Sequence, residues 1–293
     1  MTRLELLRAY QRRFREAGLP SQEARWLLAH ALGLEDSDLL RGLHEPVPEG
    51  VAAQMEGWLL ERRRGYPLQL ILGYCLFYPG LEDGGSIRLE VRPGVLIPRP
   101  ETEGLVDLAF RLLPRPGRLL DVGTGTGAIA LALKRRFPQA GVWATDIDPH
   151  AVELARANAR LAGLEVQVLL APYTAGLRDL DLIVSNPPYL PESYREQAPP
   201  ELAYEPPGAL YSGPEGLDMP RELLQHAWPA LTPGGGLALE LAESNVQTLA
   251  KEARWAGWQG VQVHPDLAGR PRYLTARKPS DVGSTPDARG SID

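Results

Sequence analysis

At 293 residues the chain has room for one catalytic domain of about 180–200 residues and a smaller accessory domain, since single domains usually run to about 100–200 residues. Its 44% hydrophobic and 23% charged residues exclude a disordered or fibrous chain, and no apolar stretch approaches the roughly 18–20 residues of a membrane span. A net charge of −6 argues against a surface built to neutralise phosphates, so direct nucleic-acid binding is not expected. The amino terminus alternates Leu with charge and lacks the apolar run of a signal peptide, and Cys75 is the sole cysteine. Both point to a reducing, cytoplasmic setting with no internal disulfide and no metal site.

From Leu4 to about Leu72 apolar residues recur at helical spacing, as in Leu4, Leu7, Tyr10 and Phe14, and predict a set of short helices. Gly18-Leu19-Pro20-Ser21 reads as a stop, with Ser21 capping the next helix. The basic runs Arg12-Arg13, Arg62-Arg63-Arg64 and Lys134-Arg135-Arg136 read as solvated helix faces or ends before they read as phosphate-binding patches. Between Tyr74 and Pro98 the texture changes to short pieces, Cys75–Tyr78 and Ile87–Val91, split by Asp83-Gly84-Gly85, which predict a β-hairpin. After Arg118, strands at Arg118–Val122, Val142–Ile147, Val166–Leu170, Leu180–Ser185 and Leu237–Leu241 alternate with helices at Ala128–Phe137, Pro149–Leu161, Pro220–Ala230 and Ser244–Ala256. Alternation of that kind gives an α/β fold, a mostly parallel sheet covered by helices on both faces. Two further strands, Gln259–Val263 and Arg272–Ala276, follow. Residues 279–293 are small, polar and aperiodic and read as a disordered tail.

Three segments carry chemistry. Leu119-Leu120-Asp121-Val122 runs into Gly123-Thr124-Gly125-Thr126-Gly127, a strand-to-helix turn in which glycines let the backbone approach a ligand closely. Its G-x-G-x-G spacing favours S-adenosylmethionine over a dinucleotide. The next strand ends in Asp146, 23 residues after Gly123, where a carboxylate can accept both ribose hydroxyl protons. Asp148, just before Pro149, is the natural helix cap instead. The fourth strand closes with Asn186-Pro187-Pro188-Tyr189. Two prolines fix the turn, and an acceptor NH2 group can donate one proton to the Asn186 side-chain oxygen and the other to the Pro187 carbonyl. Pro188 and Tyr189 offer an apolar face to a planar group.

These motifs together resemble the class I methyltransferases that carry an N-P-P-Y motif and modify nitrogens conjugated to planar systems. Within that group the chain is similar to the peptide chain release factor glutamine methyltransferases. The matching stretches are Pro67-Leu68-Gln69 through Gly73 and Phe77, Leu96-Ile97-Pro98-Arg99-Pro100-Glu101-Thr102-Glu103, the glycine loop, Asn186 to Tyr189, Glu205-Pro206, Ala209-Leu210, Gly213, Gly216-Leu217, and Asp266-Leu267-Ala268-Gly269-Arg270. The P-R-P-E-T-E loop is the most discriminating of them.

The resemblance implies a Rossmann-like class I methyltransferase domain at 98–278 with a small N-terminal helical domain at 1–73 and a β-hairpin linker at 74–97; the helical domain reads as a docking surface for a large substrate, since a small molecule would not need it, or as a brace for the catalytic domain. It implies that Gly123, Thr124, Gly125, Thr126, Gly127, Asp146, Pro172 and Asn186 contact S-adenosylmethionine, and that Asn186, Pro187, Pro188 and Tyr189 hold the acceptor glutamine. Asn186, Pro187 and Tyr189 are the catalytic candidates. The implied partners are class I release factors, and the implied reaction is N5-methylation of the glutamine in their Gly-Gly-Gln motif. An N6-adenine methyltransferase acting on nucleic acid is the alternative. Where the family carries an acid and an aromatic after the third strand, this chain has Ala171-Pro172-Tyr173, so Pro172 would supply an apolar surface. Arg99, Glu101 and Glu103 are open to surface ion pairing or substrate contact.

Overall fold

The computed structural model describes residues 1–80 and 84–280, and its chain divides into two compact units. The first comprises Met1–Cys75 with Val91–Gly94 and Gln197–Glu205. It holds α1 (Arg3–Glu16), α2 (Glu23–Leu32), α3 (Asp36–Arg41), α4 (Val51–Arg63) and α5 (Leu68–Leu72). α1 starts on a capping box in which the Thr2 hydroxyl accepts from the Glu5 amide while the Glu5 carboxylate accepts from the Thr2 amide. α2 begins after Gln22 with no side-chain cap, so Ser21 does not act as one; the Pro20 carbonyl, accepting from the Glu23 amide, makes the turn instead. Leu6, Phe14, Leu27, Leu28, Leu39 and Met55 are buried in one core. Arg62 is no solvated end of a basic run. It is 7% exposed and bonds the Glu23 carboxylate through Nε at 2.6 Å and through a terminal nitrogen at 3.0 Å.

The second unit holds Leu76–Glu90, Val95–Glu196 and the chain from Pro206 onward. β1 (Tyr74–Phe77) and β2 (Ile87–Glu90) pair as a two-stranded sheet where the chain passes into it. The Asp83 part of the hairpin turn lies outside the described residues, as does the tail beyond Ser280. There follow α6 (Pro100–Leu112), β3 (Arg118–Val122), α7 (Ala128–Arg136), β4 (Gly141–Asp146), α8 (Pro149–Ala162), β5 (Gln167–Leu170), β6 (Leu180–Ser185), α9 (Asp218–Ala230), β7 (Leu231–Glu240), α10 (Val246–Trp255), β8 (Gln259–Pro265) and β9 (Pro271–Arg277). The sheet order is β5-β4-β3-β6-β7-β9-β8, parallel from β5 to β7 and antiparallel at β9 and β8. α6, α7 and α8 pack in sequence on one face while α9 and α10 pack together on the other, as right-handed crossovers require. Leu119, Leu120, Leu182, Ile183, Val184 and Leu237 are fully buried, which explains why the central strands read as continuous apolar runs.

Two elements differ from the sequence expectation. The P-R-P-E-T-E stretch leads into a helix rather than forming a loop throughout: Arg99 precedes α6 in extended conformation, Pro100 takes the first helical position, where its missing N–H costs nothing, and Glu101 and Glu103 sit where the helix dipole favours acids. β7 starts at Leu231, earlier than the apolar run suggests, because Pro233-Gly234-Gly235 reads as a turn although it lies within the strand. Among the described residues no helix is long and apolar enough to cross a membrane.

Candidate active site

The strand register brings the motif residues to one edge of the sheet. Val122 is paired with Thr145 on one side and Ser185 on the other, and Ser185 is paired with Leu239. The next residue along each strand is therefore Gly123, Asp146, Asn186 or Glu240, four positions side by side at the carboxyl ends of β3, β4, β6 and β7. The order reverses between β3 and β6, since β4 and β5 lie on one side and β7 on the other. Open α/β sheets bind ligands in the crevice at such a switch point.

At Gly123 the amide donates to the Thr145 carbonyl at 2.8 Å, and the Thr124 amide shares that acceptor at 3.0 Å, tying the loop to β4. Gly123, Gly125 and Gly127 have φ of +69°, +55° and +88°, the left-handed region that side chains resist. A Cβ on Gly123 would meet nothing within 4 Å, which leaves its backbone open to a ligand, whereas one on Gly127 would stand 3.3 Å from Ala155 Cβ, so that glycine serves the packing of α7 on α8. Asp121, fully buried, accepts from the Thr124 hydroxyl at 2.6 Å and the Ala130 amide at 3.1 Å, both on Oδ2. Its Oδ1 is buried without a hydrogen-bond partner. Burial pushes this carboxyl up to about 7 against the pull of those donors. An orphaned buried acceptor beneath an open glycine loop fits a ligand that brings its own donor, as the amino group of S-adenosylmethionine does.

Asp146 Oδ2 accepts the Gly125 amide at 2.9 Å and Oδ1 the Asp148 amide at 3.0 Å. The Ile147 amide also lies against this carboxylate, and the lone-pair capacity that remains is compatible with a hydroxyl donor. Burial raises its pKa. Asp148 caps α8, accepting from the His150 amide at 2.8 Å. Beside Asp146, Ile147 is 74% exposed, and Leu170, opposite Asp146 in the register, is 56% exposed. Two large apolar side chains left in the open at neighbouring strand ends offer a surface to a flat apolar group, and neither was singled out from the sequence. Pro172 is exposed a little further on. Tyr173 is turned away to α9, where its ring stacks on His226 at 4.3 Å and its hydroxyl donates to Glu222.

Asn186, half-buried, donates from Nδ2 to the Thr102 hydroxyl oxygen at 3.0 Å. Pro187 is buried and Pro188 half-buried. Tyr189 donates its hydroxyl to Glu240 Oε1 at 2.9 Å, while its carbonyl accepts from Asn245 Nδ2 at 2.9 Å. Gly216, at φ +73°, permits that close packing, because a Cβ there would fall 2.2 Å from the Tyr189 carbonyl oxygen. Burial, reinforced by the Glu240 charge, holds the Tyr189 phenol well above its ordinary value, so it stays protonated. Glu240 is fully buried, and burial lifts it to about 6 against the Thr102 and Tyr189 hydroxyls and Arg272. Thr102, Asp121, Glu240 and Asn245 are the polar residues of this region that sequence reasoning did not assign. The available signal was a lone acid inside each of two apolar strands, L-L-D-V and A-L-E-L, where an unpartnered charge is costly.

Comparison with known proteins adds an independent line. Residues 5–73 match the family described as the PrmC N-terminal domain, and residues 105–200 match the methyltransferase small domain. A release factor glutamine methyltransferase of Deinococcus radiodurans is 47% identical over 281 residues, 94% of this chain and 98% of the relative. A protein of the same description from Mycolicibacterium smegmatis is 40% identical over 268 residues, 88% of this chain and 91% of its own. Among solved structures, a methyltransferase from Pyrococcus furiosus matches with a TM-score of 0.50 at 24% identity, covering 65% of this chain and 88% of its own, a likeness of fold.

Proposed function

The chain belongs to the release factor glutamine methyltransferase family, and on that premise we propose that it transfers a methyl group from S-adenosylmethionine to the N5 side-chain amide nitrogen of the glutamine in the Gly-Gly-Gln motif of class I peptide chain release factors. The observation that carries the reading is the orientation of Asn186: its Nδ2 is engaged by Thr102, which leaves Oδ1 to accept a proton from an incoming NH2 group. The relatives are named for a glutamine acceptor, and nothing favours the N6-adenine alternative.

S-adenosylmethionine, when bound, supplies an electrophilic methyl group on a sulfonium. The protein contributes alignment. The backbone of Gly123 to Gly127 admits the cofactor, Asp146 accepts from its ribose hydroxyls, and Ile147 with Pro172 gives an apolar wall. Asn186 Oδ1 and the Pro187 carbonyl accept the two protons of the acceptor NH2, while Pro188 and Tyr189 flank its plane. Accepting both hydrogen bonds supports positive charge as it develops on nitrogen and aims the lone pair at the methyl carbon. No base is required before attack: the C–N bond would form as the sulfonium C–S bond breaks, with a neutral thioether as the leaving group, and the nitrogen, strongly acidic at that point, would release its proton to solvent.

Transfer of labelled methyl groups to a purified class I release factor tests this. Label on the normal factor, and none on a factor whose Gly-Gly-Gln glutamine is replaced or on transfer RNA, ribosomal RNA or DNA, is the expected outcome. Label on nucleic acid alone would overturn the acceptor.

A further inference from the structure

A buried acid, Glu240, stands behind the threonine that Asn186 bonds, and the methyl transfer set out above does not use it. Glu240, the last residue of β7, accepts a hydrogen bond from the Tyr189 hydroxyl on Oε1 at 2.9 Å, while its Oε2 is buried without a hydrogen-bond partner and the Thr102 hydroxyl lies beside the carboxylate. A hydroxyl has one proton, and an ionised carboxylate can only accept. The Thr102 proton is therefore directed at the open Glu240 Oε2, and Thr102 meets Asn186 as an acceptor, which is the pairing observed, Nδ2 to Oγ1 at 3.0 Å. With the Asn186 amide turned the other way, Oδ1 would face an oxygen whose proton is directed at the carboxylate, leaving two acceptors together at a threonine only 3% exposed.

The first turn of α6 is held so that Thr102 cannot drift. The Glu101 carbonyl, one residue before it, accepts from the Tyr273 hydroxyl of β9 at 2.6 Å. The Glu103 carboxylate, one residue after it, accepts from the Tyr78 amide at 2.8 Å. A Cβ on Gly104 would lie 2.5 Å from that same Tyr273 hydroxyl, so the glycine is what lets the turn seat against β9.

We propose that Thr102 and Glu240 are positioning residues that set which end of the Asn186 amide faces the acceptor, presenting the oxygen and withholding the NH2, while the same carboxylate fixes Tyr189. This rests on the reading of Asn186 as the residue that holds the acceptor amide. It gives the P-R-P-E-T-E stretch a role at the site through its threonine, with the flanking acids serving to seat the helix.

The test compares Thr102→Ser, which keeps the hydroxyl, with Thr102→Val, which keeps the shape and loses it. Single-turnover methyl transfer to a class I release factor should stay within about two-fold of wild type in the serine variant and fall about 10–100-fold in the valine variant, the loss typical of a misaligned reacting group. KM for the release factor and Kd for S-adenosylmethionine should each change by less than about two-fold. A second readout needs no substrate. The chain contains three asparagines, Asn158, Asn186 and Asn245, so labelling with 15N-asparagine gives three side-chain amide signals. Hydrogen exchange of the Asn186 NH2 should quicken in Thr102→Val alone, with Asn158 and Asn245 unaltered. Wild-type rate and exchange in the valine variant, equal losses in both variants, or changes at all three asparagines would each overturn the proposal. Should the wild-type protein label no release factor, the acceptor reading fails by itself, and the Asn186 exchange still decides whether Thr102 positions it.

Discussion

Asp121 is an acid in a strand whose other inward positions are apolar, and its protonation ties stability to pH. Its carboxyl is lifted from 3.8 to about 7, chiefly by burial, with the nearby Asp146 charge adding in the same direction. The folded chain therefore holds this proton more tightly than the unfolded chain does. The resulting stability is fully present below pH 3.8 and is lost as pH rises through about 7, a change on the order of 4 kcal/mol. Thermal melts of the cofactor-free protein and of Asp121→Asn between pH 4 and 8 should converge at low pH and separate as pH rises, the asparagine variant becoming the more stable. A gap that stays constant across that range would show that Asp121 is not the group responsible. At Asn186 the expectation concerns rate. Removing the acceptor oxygen with Asn186→Ala should cost about 10²–10³ in single-turnover transfer, the usual loss for a polar group that stabilises developing charge. Cofactor affinity, measured by calorimetry, should change little if the oxygen serves the acceptor, and full activity in that variant would sink the role. Asn186, Asp146 and the glycine loop could be named from the sequence because each sits at a strand end inside a recognisable spacing. Thr102 could not, because a lone threonine looks the same in sequence whether it faces water or a buried neighbour, and Glu240 left only the faint signal of an acid inside an apolar strand.

At the scale of elements, the strands were legible because burial on both faces makes them continuous apolar runs, and β3, β6 and most of β4 fall where those runs lie. α6 was missed for a local reason: two prolines and two acids imitate a loop, although Pro100 at the first helical position with acids behind it is also how a helix begins. The 3₁₀ turns at Glu192–Gln197, Pro200–Tyr204 and Pro207–Ala209 left no periodic trace at all. The loop that follows them is nevertheless tightly specified. Gly216 occupies a left-handed φ, and any Cβ there would collide with the Tyr189 backbone, an obstacle that no side-chain rotation relieves. Gly216→Ala should therefore destabilise the protein by on the order of 3 kcal/mol and displace the acceptor turn, lowering the transfer rate. Chemical denaturation checks the first effect and single-turnover kinetics the second. Wild-type values for both would mean that the loop opens easily and does not brace Tyr189.

For the whole molecule, the division into a helical unit and an α/β unit lets the role of the helical unit be tested apart from methyl transfer. The helical unit has its own apolar core and a buried ion pair, Glu23 with Arg62, each side chain 7% exposed. Arg62 also donates to the Tyr66 carbonyl at 2.6 Å, so it ties the end of α4 to the segment that follows. Removing one partner of a buried pair leaves the other charge stranded, which typically costs about 3–5 kcal/mol, whereas replacing both with apolar residues is often neutral. Arg62→Met should accordingly loosen the helical unit, and Glu23→Leu combined with it should restore stability. If the helical unit docks the release factor, the single variant raises KM for that substrate more than about ten-fold, leaves Kd for S-adenosylmethionine within about two-fold, and is rescued by the double variant. The opposite pattern, a loosened helical unit with an unchanged KM, would reduce that unit to a brace and move recognition of the protein substrate to the α/β unit itself.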